Sequence, residues 1–356
     1  MSLDVRAIIK DLHNEAQRAW LTSDDPTGEP TRLHGLADSM AWLVRRSNGG
    51  DGVSDEGVLD PWVARWLEAN PLPADDFSPE FLALARGSFE IPASQQITRV
   101  YDEMIEKIPV RVYEHATEPT GLVVYFHGGG FCIGSVALMD NVARELAFAT
   151  GAAVISVEYR LAPENPYPAA LDDCDAVTRW ALANAGTFTA REGAVLVAGE
   201  SAGGNLATAV CLRLRDAHVT PRLLGQVLIY PVLDAHDSPH ASRKEFAGLV
   251  VSKEMDEWFW VSYGGGRDIT KDPFAAPLQA ATLAGLPPAL VILGGCDLLR
   301  DEGRAYSRRL REAGVETEEV CYPGQPHGFV NFGFPAAQGA YDAIGRWARS
   351  YLATAD

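Results

Sequence analysis

The chain is short of three things, and each shortage excludes something. Cysteine is scarce: Cys132, Cys174, Cys211, Cys296 and Cys321 are five in number, scattered and without Cys-x-x-Cys spacing. That pattern excludes a disulfide framework and a cysteine-built zinc site, and predicts reduced, mostly buried thiols. Long apolar runs are missing too. No stretch approaches the run of about 18 apolar residues that a membrane span needs, and Met1 to Lys10 has no signal-peptide core. A cytoplasmic location is the expectation. Basic residues are outnumbered, with 30 Lys and Arg against 48 Asp and Glu, for a formal charge of -18. Such a surface repels phosphate backbones and anionic lipid, so neither nucleic acid nor a membrane is an expected partner.

What is present is the length and composition of an ordinary globular protein. Its 356 residues suffice for one large α/β domain with an appendage, or for two domains. Residues 1 to about 95 read as a helical preamble. Ala7 to Trp20 and Leu33 to Arg46 carry apolar residues at helical spacing, and Asp60-Pro61 opens a helix from Trp62 to Ala69 with an N-cap and a first-turn proline. Ser78-Pro79-Glu80 opens the next in the same way. The tryptophans Trp20, Trp42, Trp62 and Trp66 read as packing surface, with a lid over a pocket as the alternative.

From Ile97 the apolar period changes to two. Ile97 to Ile105 and Ile108 to Glu114 read as an antiparallel pair. The strands that follow are Gly121 to Phe126, Ala152 to Glu158, Ala194 to Ala198, Gly225 to Tyr230, Pro288 to Leu293 and Glu316 to Tyr322. Helical patterns separate most of them, at Asn141 to Ala149, Ala169 to Asn184, Gly204 to Ala217 and Gly303 to Ala313, with Ala336 to Leu352 at the end. This alternation predicts a mostly parallel sheet of about eight strands with helices on both faces. The expected division is 1–95 as N-terminal extension and cap, 96–235 and 276–356 as the two parts of the core, and 236–275 as an inserted cap carrying a helix over Ser252 to Tyr263.

The segment Val195 to Asn205 organises the rest. A β-branched run stops at Gly199, presents Ser201 and passes through Gly203 and Gly204 into a helical pattern. Gly-x-Ser-x-Gly spacing has a steric cause: the serine occupies a strained strand-to-helix turn, and a β-carbon two residues to either side would collide with it. An exposed hydroxyl results, with helix N-terminal amides aimed at it. Upstream, His127-Gly128-Gly129-Gly130-Phe131 follows a strand. Consecutive glycines let amides turn toward one point, so Gly128 and Gly129, with Ala202, are the expected oxyanion donors. His127 reads as a structural hydrogen-bonding residue.

The base and acid are sought in the chain order serine, acid, histidine. His218 sits at a helix end and His236 and His240 fall in the insertion, which leaves His327, directly after the last strand. Asp297 and Asp301 both follow the preceding strand. Asp297 is nearer the strand end and is the expected partner of the imidazole; Asp301 suits the first turn of a helix.

These blocks resemble those of the hormone-sensitive-lipase-like, or bacterial type IV, carboxylesterases of the α/β-hydrolase fold. The matching residues are His127 to Phe131, Gly199 to Gly204, Asp297 to Gly303, His327-Gly328-Phe329, and the connector Tyr159 to Ala170. Two residues depart from the family pattern: Glu200 stands where aspartate is common, and Leu298 where proline is. The resemblance implies a cap built from the N-terminal helices and the insertion, with Phe131 and Trp258 as candidate substrate-contacting side chains. It also implies a small-molecule ester of short-to-medium acyl length as the substrate. No metal or cofactor is required, because serine, base and oxyanion donors supply the chemistry. Amide or arylacetamide deacetylation on the same triad is a second reading. A non-catalytic receptor that keeps the fold is a third, and His327 argues against it. A homodimer through the last strand is a further expectation that no residue pattern specifies.

Overall fold

This computed structural model describes residues 55–70, 77–87, 95–116, 118–189 and 192–352. The expected helices at Ala7 to Trp20 and Leu33 to Arg46 lie outside them. After a 3₁₀ turn at Asp55–Gly57 come two short helices, α1 (Pro61–Ala69) and α2 (Pro79–Gly87). Asp60 caps α1 as its sequence predicts, accepting from the amides of Trp62 at 2.8 Å and Val63 at 3.3 Å. Trp62 and Trp66 pack against Phe334, and Trp66 also against Phe332, beyond the last strand.

The strands are β1 (Arg99–Ile105), β2 (Ile108–Glu114), β3 (Leu122–Phe126), β4 (Ala153–Val157), β5 (Val195–Glu200), β6 (Gly225–Ile229), β7 (Ala289–Cys296) and β8 (Thr317–Pro326). They form one eight-stranded sheet in the order β1-β2-β4-β3-β5-β6-β7-β8. β1 pairs antiparallel with β2, and β2 antiparallel with β4; every other neighbouring pair is parallel. The central strands are buried throughout, which is why their sequences run as unbroken apolar stretches instead of alternating.

Crossover helices cover both faces. They are α3 (Asp140–Thr150), α4 (Ala169–Asn184), α5 (Ala202–Asp216), α8 (Arg300–Glu312) and α9 (Ala337–Leu352). Side chains alternate across the sheet: Leu122, Val124 and Phe126 join one core with α4, α5 and α8, while Val123 and Tyr125 join the other with α3 and α9. Between β6 and β7 lies the long excursion, containing α6 (Ser242–Glu245) and α7 (Lys253–Gly264). Ser252 caps α7, its hydroxyl accepting from the Met255 amide at 2.9 Å.

Three strands run further than periodicity suggests, among them β8, which continues past Tyr322 to Pro326. β5 continues through Gly199 and Glu200, and β7 through Gly294, Gly295 and Cys296. Glycine and a charged residue read as strand breakers in sequence. Here they extend the ladder to the sheet's C-terminal rim. Among the described residues no helix is long and apolar enough to cross a membrane, and all five cysteines are free.

Candidate active site

Ser201 is the only residue between β5 and α5, and its backbone stands at φ 56 and ψ -119. A non-glycine residue in that region costs about 1–3 kcal/mol, so surrounding structure must hold it. The Ser201 amide donates to the Ile229 carbonyl at 2.9 Å, and the amides of Val232 and Asn205 donate to the Ser201 carbonyl, each at 3.1 Å. Asn205 is itself buried and donates to the carbonyls of Val232 and Ala275, tying the first turn of α5 to the segment after β6. The flanking glycines are needed on steric grounds. A β-carbon on Gly203 would lie 1.9 Å from the Phe126 carbonyl oxygen, and one on Gly199 would lie 2.1 Å from that of Gly203.

The turn delivers the hydroxyl to His327. Ser201 Oγ lies 2.9 Å from His327 Nε2, and His327 Nδ1 lies 2.9 Å from Asp297 Oδ2. Asp297, which is fully buried, also accepts from the Leu299 amide through Oδ1 at 2.8 Å. A carboxylate only accepts, so the ring proton belongs on Nδ1 and Nε2 is left to receive the serine proton. Burial opposes charge on the imidazole. The Asp297 carboxylate outweighs it, with smaller contributions from Glu200 and Asp256, and holds the His327 pKa above its ordinary value. Asp301, the competing acid, sits in the first turn of α8, where it accepts from the Ser242 amide and from Arg300.

The glycine loop is arranged differently from the sequence expectation at one position. The Gly128 amide, expected to be an oxyanion donor, gives its N–H to Glu200 Oε1. Glu200 is fully enclosed, so its carboxylate needs donors, and the nearest is that amide. Burial pushes the Glu200 carboxyl up to about 7 against the pull of the Gly128 and Asn331 donors. Among the described residues the amides of Gly129 and Gly130 have no acceptor. Ala202, as the first residue of α5, contributes an amide with no partner within the helix. His127 is structural, as expected. Its ring stacks on Tyr159 at 4.2 Å, the Tyr159 hydroxyl donates to its carbonyl at 2.7 Å, and burial pushes its pKa down to about 4. Arg86 on α2 fixes the far side of the loop by donating to the Cys132 carbonyl at 2.8 Å while pairing with Glu164.

Ser201 and His327 open onto a cavity that Gly130 and Phe131 also line. Phe131 is stacked on Tyr263 at 3.8 Å. The apolar walls are Val232, Val251, Phe259, Trp260, Leu298 and Leu299, and one acid, Asp256, stands among them. Trp258, the expected contact, is not in this lining; it stacks on Phe77 with centroids 5.5 Å apart. The helical repeat explains the difference. Positions 256, 259 and 260 share one face of α7, and 258 lies about 200° round from 256. Aromatic content pointed to the helix but not to its inward face. Asp256 and Leu298 left no signal in the sequence as cavity residues, since both follow from how elements far apart in the chain close together.

A mostly parallel sheet with a strained serine at the C-terminal end of a central strand, reached by a histidine from beyond the last strand, defines an α/β hydrolase. Residues 123–331 match a family model described as the α/β hydrolase fold. Carboxylesterase NlhH of Mycobacterium tuberculosis is 38% identical over 251 residues, covering 69% of this chain and 78% of that protein. An ethyl acetate hydrolase of Pseudomonas putida is 34% identical over 232 residues, covering 64% and 72% respectively. A solved esterase from Pyrobaculum calidifontis superposes with a TM-score of 0.72 at 35% identity, over 83% of this chain and 98% of that one. The chain belongs to the hormone-sensitive-lipase-like carboxylesterase family of α/β hydrolases.

Proposed function

We propose that the protein is a serine carboxylesterase that hydrolyses short-to-medium acyl esters through an acyl-enzyme formed on Ser201. His327 takes the hydroxyl proton as Ser201 Oγ attacks the ester carbonyl. The resulting oxyanion accepts from the amides of Gly129, Gly130 and Ala202. Collapse expels the alcohol, which takes the proton from His327, and water repeats the sequence to release the acid. Asp297 holds the productive tautomer and stabilises the imidazolium. The observation that carries this reading is the unbroken relay from Ser201 Oγ through the ring of His327 to Asp297, with both links at 2.9 Å. Incubation with a fluorophosphonate is expected to label Ser201 stoichiometrically and to abolish hydrolysis of p-nitrophenyl butyrate. An unlabelled serine in active protein would refute the assignment.

The pH dependence has a defined sign. His327 must be neutral to accept a proton, and its pKa is held above the ordinary 6.5. Activity should therefore fall as pH decreases, with the midpoint of kcat/KM above 6.5. His127 stays neutral down to about 4 and adds no second imidazole to the profile. A curve flat to about pH 5 would contradict a histidine base.

The same proposal assigns the inserted segment 236–275 to a cap around the core. Its support is that Val251, Phe259 and Trp260, from the inserted segment, wall the cavity that holds Ser201. We also assign a cytoplasmic location, supported by five cysteines left unbridged. A homodimer through β8 is part of the reading, supported by that strand's position at the sheet edge.

A further inference from the structure

We propose that Asp256 determines specificity at this site, selecting esters that carry a hydrogen-bond donor near the reacting carbonyl over apolar esters of equal size and over anionic ones. The inference rests on ester hydrolysis at Ser201. Asp256 is only 8% exposed, yet it lines the cavity into which Ser201 and His327 open. Its Oδ2 accepts from Arg243 Nη1. Among the described residues Oδ1 has no donor.

Arg243 does not reach this second oxygen. The guanidinium is itself buried, and its Nε and Nη2 donate to Glu302 Oε2 at 3.0 and 2.7 Å, while Nη2 reaches the Asp234 carbonyl at 3.2 Å. The guanidinium divides its donors between two carboxylates and leaves Oδ1 of Asp256 without one. Most of the remaining wall is hydrocarbon and aromatic. An apolar acyl or alcohol group filling this space strips water from Oδ1 and leaves a charged acceptor unpaired, which is the costly case for a buried polar atom. A hydroxyl or ammonium group restores the hydrogen bond. A carboxylate adds repulsion in a poorly solvated setting. The same asymmetry explains why sites built to hydrogen-bond a substrate discriminate strongly against analogues that lack the group.

The test compares kcat/KM for ethyl butyrate, ethyl 3-hydroxybutyrate, 2-hydroxyethyl butyrate and monoethyl succinate in the wild type, Asp256→Asn and Asp256→Leu. In the wild type at least one hydroxylated ester should exceed ethyl butyrate by about tenfold, and monoethyl succinate should fall below it by about tenfold. Which hydroxylated ester leads tells whether the acyl or the alcohol group faces Asp256. Asp256→Leu should collapse both ratios toward one. In Asp256→Asn the amide oxygen stays on Arg243, which can only donate, and the NH₂ turns to the cavity, so the variant should admit monoethyl succinate. Wild-type ratios within twofold of one another, or ratios unchanged in Asp256→Leu, overturn the proposal. Should Asp256→Leu not fold, the succinate-to-butyrate ratio of Asp256→Asn decides: a rise supports the proposal and an unchanged ratio overturns it. Failure of the underlying reading looks different, since the wild type would then hydrolyse none of the four esters.

Discussion

Ser201→Ala is expected to lower kcat on p-nitrophenyl butyrate by a factor on the order of 10⁶, leaving only the acceleration that binding and oxyanion donors give to attack by water. The substitution removes one oxygen and with it the only nucleophile within 2.9 Å of His327 Nε2 among the described residues. It spares the fold. Alanine keeps the backbone bonds that hold position 201 to Ile229, Val232 and Asn205, so the thermal melt should stay within a few degrees of the wild type. Burst kinetics with the same ester would show the missing acyl-enzyme directly. Residual turnover above a few per cent, in protein free of wild-type contamination, would remove Ser201 from the mechanism.

Asp297→Asn should cost about 10⁴ in kcat while binding changes little. The local bonding says why. The Leu299 amide donates to Oδ1 at 2.8 Å and would keep the asparagine oxygen on that side, which turns the NH₂ toward His327 Nδ1. The ring proton then moves to Nε2, and Ser201 meets a donor in place of an acceptor. Asp301→Asn serves as the control, because that carboxylate bonds the Ser242 amide and Arg300. Steady-state rates of the two variants on one ester give the comparison. Equal losses, or a larger loss in Asp301→Asn, would reassign the acid.

Much of the architecture was legible in the sequence because the relevant physics is local. The β-branched runs from Leu122, Ala153, Val195, Gly225 and Ala289 are long, apolar and bounded by loop formers, and all five are strands. Gly199, Ser201 and Gly203 are legible for a related reason: the crowding that demands them acts within one turn. Placing Ser201, His327 and Asp297 together relied on chain order, and their separation along the chain gave no direct signal of contact. Chain order also could not reveal Glu200 taking the Gly128 amide, because that bond depends on how two strand ends lie side by side. The face of α7 turned to the cavity was hidden as well. Trp258 and Trp260 are equally apolar in sequence, and only the rotation of the helix separates them.

The backbone at Ser201 has a consequence for how this position is retained. Its dihedral angles are ones that glycine adopts freely and serine resists, so relaxation alone would favour glycine there. Thermodynamic drift and chemical usefulness thus pull the same codon in opposite directions. Ser201→Gly would therefore be expected to give up the nucleophile and settle into a tighter native state.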